Sequence, residues 1–358
     1  MKATQQLHDL GQSLWVDNIT RTMLDDGTLA GYIKNLSLTG LTSNPTIFDK
    51  AIGAGDAYDE QISELYERGL EGEDLFFELA LTDLRRAAKL FKPVHTRTDG
   101  VDGFVSLEVS PLLVDDAEAT VAQAAELHGR AEENVFIKIP GTEAGLVAIE
   151  ETIFAGIPVN VTLLFSAEHY IGAAEAFMRG IERRIEAGLD PSVASVASLF
   201  ISRWDVAIAD EVPSELKNRL GVAIGKRAYR AYRELLDSDR MLRLANEGAR
   251  AQRLLWASTG TKDPDAPDAM YVEAFASPLT VNTMPENTLN AFADHGEVGE
   301  SMASDGGDGE ETLAEFESAG IDLDELAARL QHEGAESFSK SWNEMLETVE
   351  SKREQVSA

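Results

Sequence analysis

Eight short runs rich in apolar and β-branched residues recur along the chain, each separated from the next by amphipathic sequence. They read SLWVDNI from residue 13, LTGLTSN from 38, GFVSLEV from 103, VFIKIP from 135, IPVNVTLLF from 157, PSVASVASLFIS from 191, RLLWASTG from 253 and LTVNTMP from 279. Between them, TEAGLVAIEETIFAG and AEHYIGAAEAFMRGIERRIEAG space their apolar residues at helical period with an acidic outer face. The second ends at Gly188, a residue suited to stopping a helix. Strands alternating with helices predict parallel βαβ units. A count of eight predicts a closed α/β fold, the (β/α)8 TIM barrel, with an open doubly wound sheet as its rival.

The length agrees with that prediction. At 358 residues the chain exceeds an average domain, but α/β barrels commonly reach this size as one unit. A single domain over residues 1–358 is expected. Residues 46–98 hold about two helices' worth of periodic sequence beyond what a barrel needs, and 203–250 hold a similar excess. Both are expected to elaborate the outside of the barrel. Residues 294–324 contain eleven acidic side chains and no lysine or arginine. They lack the D-x-D-x-D-G spacing of a calcium loop, so a solvated surface loop leading into a helix is expected. A C-terminal helical segment is expected over about 311–350.

Composition removes several function classes. Lys and Arg number 31 against 63 Asp and Glu, a net charge of −32, which repels phosphate backbones and argues against a nucleic-acid partner. Without cysteine there is no disulfide, thiol nucleophile or thiolate metal site. No apolar run approaches membrane-spanning length, and MKATQQLHDLGQSLW lacks a signal-peptide core, so a cytoplasmic protein without a membrane partner is expected. Walker, H-E-x-x-H and G-x-S-x-G motifs are missing. GAGDA at residues 53–57 is not a dinucleotide fingerprint, so neither a cofactor nor a metal is expected. Monomer and homodimer both stay open.

Polar residues inside the strands carry the functional signal. Alternate strand residues share a face. In VFIKIP, Val135, Ile137 and Ile139 point one way, and Phe136 and Lys138 the other, which places Lys138 inside a barrel near the C-terminal end of its strand, where barrel active sites lie. A lysine held there loses hydration, which favours a neutral amine able to attack a carbonyl and form a Schiff base. Neighbouring runs repeat the pattern. Asp17 follows Val16; Thr42 and Asn44 share a face, as do Ser106 and Glu108; Asn160 and Thr162 share one face of the fifth run, with Val159, Val161 and Leu163 on the other. Ser198 sits with Phe200, and Ser258 closes the seventh run. Polar ends on seven of eight strands fit a central pocket better than the single switch point of an open sheet. A core does not collect so many polar groups for stability, because each costs desolvation. Ser106 alone reads better as a satisfied core hydroxyl.

GLTSNPTIF at residues 40–48 and IKIPGTEAGLVAIE from Ile137 resemble the two signature stretches of the transaldolase family. WVDNI, VSLEV, VNVTLLFS, SLFISRWD and LLWASTG are similar to its strands, so the resemblance covers roughly residues 5–345 and lies nearest the longer bacterial members. It implies a (β/α)8 barrel with a Schiff-base lysine on the fourth strand, here Lys138. It also implies transfer of a dihydroxyacetone unit in the pentose phosphate pathway. The donor would be sedoheptulose 7-phosphate or fructose 6-phosphate, the acceptor glyceraldehyde 3-phosphate or erythrose 4-phosphate. The chemistry of such a step places Asp17 as general acid/base for C3–C4 cleavage. The resemblance implies a proton relay of Glu108, Thr162 and a water. It assigns Asn44, Asn160 and Ser198 to the hydroxyls of the bound three-carbon unit, and Phe200 to shielding it. Arg203 and Ser258 fit the family's phosphate site. Shorter members carry a second arginine just after that serine. Here the stretch reads ASTGTKDP, and Lys262 is expected to replace it, against the alternative of a surface lysine paired with Asp263 or Asp265. Two other functions compete: a fructose 6-phosphate aldolase-type lyase releasing free dihydroxyacetone, and a non-enzymatic acidic barrel acting as a binding protein.

Overall fold

The computed structural model describes residues 1–356; the last two residues of the expected 1–358 unit lie outside the described residues. Among the described residues, eight parallel strands close into a barrel in sequence order, each pairing with the next and the eighth with the first. The strands are β1 (Ser13–Asp17), β2 (Leu38–Thr42), β3 (Val105–Glu108), β4 (Val135–Pro140), β5 (Val159–Leu164), β6 (Ser195–Phe200), β7 (Arg253–Ala257) and β8 (Val281–Met284). Every one falls within a run read from the sequence, and closure disposes of the open-sheet rival.

Alternation divides the apolar residues between two layers. Leu14, Val16, Ile137, Ile139, Val159, Val161, Leu199 and Leu254 belong to the core between strands and helices. Trp15, Phe136, Val196, Leu255 and Val281 belong to a second cluster, which plugs the barrel interior with these strand residues and continues into the helices beyond its mouth. Phe104 and Phe136 stack there with ring centroids 4.0 Å apart. Gly40 makes room for the plug, since a Cβ at that position would lie 2.6 Å from the Trp15 ring. The plug fills the lower barrel and leaves the C-terminal ends of the strands to form a site.

Connecting helices start and stop where local chemistry dictates. Thr142 Oγ1 accepts from Gly145 N, and Ser166 Oγ from His169 N, at the starts of Glu143–Phe154 and Ala167–Glu186. Gly188 follows the latter helix at φ +69, the left-handed conformation expected of a helix stop.

Three features differ from expectation. Between β2 and β3 stand three helices, Pro45–Gly53, Asp59–Glu67 and Gly72–Arg97, where periodicity predicted two. GAGDA interrupts the pattern, with Gly55 at φ +85. In β5 the register shifts between Val161 and Leu164, and Leu163 takes φ +59. Leu163 therefore leaves the strand–helix core expected for it, which Leu164 joins instead, and packs in the second cluster against Gly334 of the last helix. Finally, the 294–324 segment is not simply a hydrated loop. It contains the helix Gly309–Ser318, whose Leu313 and Phe316 are buried. Glu310 pairs with Arg227 (2.6 Å) and Arg230 (3.1 Å), and Asp308 pairs with Lys226, all three cations lying on the Leu220–Leu236 helix.

The last helix, Leu323–Val356, runs longer than the expected C-terminal segment and packs along Pro45–Gly53 and Asp59–Glu67. Its path brings Phe338 over the mouth of the barrel, beside Lys138. No helix among the described residues is long and apolar enough to cross a membrane.

Candidate active site

The barrel register builds the site. Glu108 is the strand partner of Lys138, Lys138 of Asn160, and Asp17 of Thr42. Neighbouring strands thus deliver a lysine, two carboxylates, an amide and a hydroxyl to one level, just above the aromatic plug. A cavity of about 120 Å³ opens above them. Nine of the eleven residues singled out from the sequence line it: Asp17, Asn44, Lys138, Thr162, Ser198, Phe200, Arg203, Ser258 and Lys262. The other two lie directly beneath. Glu108 meets Lys138, and Asn160 Oδ1 accepts from Ser198 Oγ at 2.7 Å.

Lys138 is buried, with 5% of its surface exposed. Its Nζ donates to the Ser43 carbonyl at 3.2 Å and lies 3.5 Å from Glu108 Oε2. Glu108 Oε1 and Thr162 Oγ1 are buried without a partner in the protein. Burial raises the Glu108 carboxyl above its ordinary range, the Lys138 charge opposes that shift, and the Asp17 charge adds to it. Asp17 is raised too, chiefly by burial, with Lys138, the Thr42 hydroxyl and Lys262 pulling the other way. Its Oδ1 accepts from Thr42 Oγ1 at 2.9 Å, and the same hydroxyl lies 2.7 Å from Thr283 Oγ1. Two carboxylates thus flank one amine: one touches it directly, and the other stands across the cavity on a hydroxyl pair.

Ser106 is a satisfied hydroxyl, as its sequence context implied. Asn160 Nδ2 donates to it at 3.1 Å, which fixes the amide so that Oδ1 faces Ser198. Asn44 lies past the end of β2, not in the strand, and its Oδ1 accepts from Ile47 N to cap the Pro45–Gly53 helix. That bond leaves the side-chain amide nitrogen toward the cavity as a donor.

Cations gather on one side of the mouth. Arg203 lies in the first turn of Ser202–Ala207, with its guanidinium 5.3 Å from the Phe200 ring. Burial lowers it from the ordinary arginine value, with Glu333 opposing. Ser258 adopts φ +56, a strained conformation for a residue with a side chain, and its Oγ lies 2.8 Å from Ser202 Oγ. Lys262 borders the same cavity. The alternative pairing partner Asp263 instead accepts from Asn218 at 2.7 Å.

Besides Ala257 and Gly260, which flank Ser258, three lining residues carry no mark in the sequence reading. Thr283 follows strand alternation in LTVNTMP, so the eighth strand contributes a polar end after all. Pro285 lies just beyond it. Phe338 arrives from a helix remote in sequence, and no local pattern marks it.

Larger hollows, of about 680 and 470 Å³, open at the opposite end of the barrel. Their lysine and arginine side chains are engaged. Lys92 pairs with Glu133, and Arg253 donates to Ser13 Oγ and to the Val101 and Thr280 carbonyls. The buried lysine and the two carboxylates that flank it converge at the C-terminal end.

Comparison with known proteins places the chain in a family. The sequence profile described as Transaldolase/Fructose-6-phosphate aldolase matches residues 14–349. The chain is 44% identical over 355 residues to a protein named transaldolase from Thermobifida fusca, covering 96% of each chain. It is 43% identical to one from Saccharopolyspora erythraea over 98% of each, and 43% identical to transaldolase 2 of Streptomyces coelicolor over 97% of this chain and 96% of that one.

Proposed function

The chain belongs to the transaldolase/fructose-6-phosphate aldolase family, and we propose that it is a transaldolase working through a Schiff base on Lys138. It moves a dihydroxyacetone unit from a ketose phosphate, sedoheptulose 7-phosphate or fructose 6-phosphate, to an aldose phosphate, glyceraldehyde 3-phosphate or erythrose 4-phosphate. The observation that carries this reading is the placement of Lys138: a buried amine at the C-terminal end of β4, between Glu108 and the Asp17 side of the cavity.

The steps follow from the groups present. The Lys138 amine adds to the donor's C2 ketone. Glu108 with Thr162, each holding a free polar atom, passes protons through a water so that the carbinolamine loses its hydroxyl as water. The resulting protonated imine is an electron sink. Asp17 takes the proton from the C4 hydroxyl, the C3–C4 bond breaks, its electrons flow into the imine, and the aldehyde leaves. A three-carbon enamine stays on Lys138. An acceptor aldehyde then enters, the enamine carbon attacks it, Asp17 returns its proton, and hydrolysis frees the new ketose. Asn44, Asn160 and Ser198 hold the hydroxyls of the three-carbon unit, Phe200 shields it, and Arg203, Ser258 and Lys262 bind the phosphate.

Borohydride reduction with fructose 6-phosphate present, followed by peptide mapping, tests the reading. The expected label lies on Lys138 and is lost, together with turnover, in Lys138→Ala. Label on a different lysine would remove Lys138 from this role.

A further inference from the structure

Phe338 is an aromatic side chain over the proposed reaction centre that no sequence pattern announced. Its ring centroid lies 5.6 Å from Lys138 Nζ and 6.4 Å from the Phe200 ring, edge to face. The side chain is 8% exposed and borders the same cavity as Asp17 and Thr162. Lys138 Nζ meets the Ser43 carbonyl and Glu108 on its polar side. Phe338 and Phe200 form the apolar cover.

The position of that ring is fixed from both ends. Seven residues upstream, Gln331 Nε2 donates to the Leu163 carbonyl at 2.9 Å and to the Gly141 carbonyl at 3.2 Å. One helical turn downstream, Trp342 Nε1 donates to Glu73 Oε1 at 2.7 Å. Between them Gly334 seats the helix on Leu163, since a Cβ there would come within 3.0 Å of the Leu163 side chain. The register shift at Leu163 is what presents both that carbonyl and that side chain to the helix. Such anchoring holds an apolar plate in place over a buried amine.

We infer that Phe338 is a specificity-determining residue that keeps water from the three-carbon intermediate on Lys138, so that the chain transfers this unit instead of releasing it. The inference rests on the Schiff-base reading above. In the competing outcome, the enamine takes a proton at the carbon that carried the departing aldehyde and becomes an iminium. Water adds to the C=N carbon, and the carbinolamine expels the Lys138 amine, giving free dihydroxyacetone. Both outcomes end in hydrolysis of an imine on Lys138, which the water beside Glu108 and Thr162 serves; only release needs a proton at the enamine carbon before an acceptor arrives, and water on the side the two rings cover would supply it. Closing a site against water suppresses such proton leakage onto reactive intermediates. The ring face also favours the cationic iminium over a bare apolar wall, but an aliphatic side chain of similar bulk would serve the exclusion equally well.

The test measures two rates with fructose 6-phosphate as donor: transfer to an acceptor aldose phosphate, and release of free dihydroxyacetone without acceptor. Phe338→Ala is expected to raise the release-to-transfer ratio about tenfold. Phe338→Leu, which keeps the bulk, is expected to stay within about twofold of the unmodified chain. Should Phe338→Ala fail to fold, Phe338→Val carries the same expectation, because it also uncovers Lys138. An unchanged ratio in the folded small-side-chain variant, with both rates lowered together, would assign Phe338 to packing alone and overturn the inference. Borohydride trapping on the unmodified chain keeps the two readings apart: no trapped lysine counts against the Schiff base itself, whereas normal trapping with an unchanged ratio counts only against Phe338.

Discussion

Glu108 Oε2 lies 3.5 Å from Lys138 Nζ, while Glu108 Oε1 is buried without a partner in the protein. One oxygen thus addresses the amine and the other is free to handle a proton. Asp17 does not touch the lysine; it is held by Thr42 on the far side of the cavity. This asymmetry predicts separable defects. Glu108→Gln should slow imine formation, seen as slower borohydride trapping. Asp17→Ala should still form some imine but cleave poorly, seen as trapped donor with little aldehyde release. Loss of one acid/base group typically costs about 10²–10⁴-fold in turnover. Wild-type trapping and turnover in both variants would contradict the assignment.

Asp17 should also lower stability at neutral pH. Its folded-state pKa lies above the ordinary carboxylate value because burial penalises the charge more than Lys138, Thr42 and Lys262 favour it. The folded chain therefore holds that proton more tightly than the unfolded chain, and the contribution to stability falls as pH rises through the folded-state pKa. Asp17→Asn removes the charge and keeps an oxygen for Thr42. It should melt higher than the unmodified chain at pH 7, with the difference vanishing below the ordinary carboxylate range, where both states of the unmodified residue are protonated. A gain that persists at low pH, or a loss at neutral pH, would show that the charge is not the cause.

Legibility from sequence followed the range of the interaction involved. Alternation in VFIKIP is a local property of a strand, so it placed Lys138 inside and Ile137 outside, as the structure has them. The same rule misplaced Leu163, because a bulge breaks the period of two and a bulge has no local signature in VNVTLLF. Strand alternation assigns Asn44 to the cavity, yet it reaches the cavity as a helix cap two residues past the strand. Phe338 could not be read at all. Its position depends on how a helix 200 residues downstream of Lys138 crosses the barrel, which is set by Gln331, Gly334 and Trp342 packing on partners far away in sequence. The acidic segment was legible in charge but not in attachment, because the arginines that hold it lie on a helix at least 80 residues earlier.

That attachment changes what removal of the segment should do. Glu310 meets Arg227 and Arg230, and Asp308 meets Lys226, at half-exposed positions where one ion pair contributes about 0.2–1 kcal/mol. Glu310→Gln, which removes two of these pairs, should therefore lower stability by no more than about 2 kcal/mol. Deletion of residues 304–309 should lower the melting temperature further, because it also removes the start of the helix that buries Leu313 and Phe316. Turnover below the melting transition should be preserved in both. A calcium-dependent rise in melting temperature that disappears on deletion would mean the carboxylates serve a metal instead.

The phosphate end of the cavity makes the sharpest demand on a chain with net charge −32. Arg203 is half-buried and makes no ion pair with a carboxylate among the described residues, and Lys262 stands on the same rim with its neighbour Asp263 engaged by Asn218. A guanidinium can grip a phosphate through two parallel hydrogen bonds, whereas an ammonium acts as a point charge. Arg203→Ala should accordingly raise KM for fructose 6-phosphate more than Lys262→Ala does. Removing a charge-assisted hydrogen bond corresponds to about 1.5–3 kcal/mol, or roughly 10- to 100-fold. Both variants should leave the constants for unphosphorylated fructose nearly unchanged, because these side chains grip the ester, far from the reacting carbon. Lys262→Arg should be tolerated, since the rim is open and a longer cation still reaches the ester. Comparing fructose with fructose 6-phosphate in each variant isolates the phosphate contribution, and an unchanged KM for the ester in Lys262→Ala would leave Arg203 and Ser258 as the phosphate site without it.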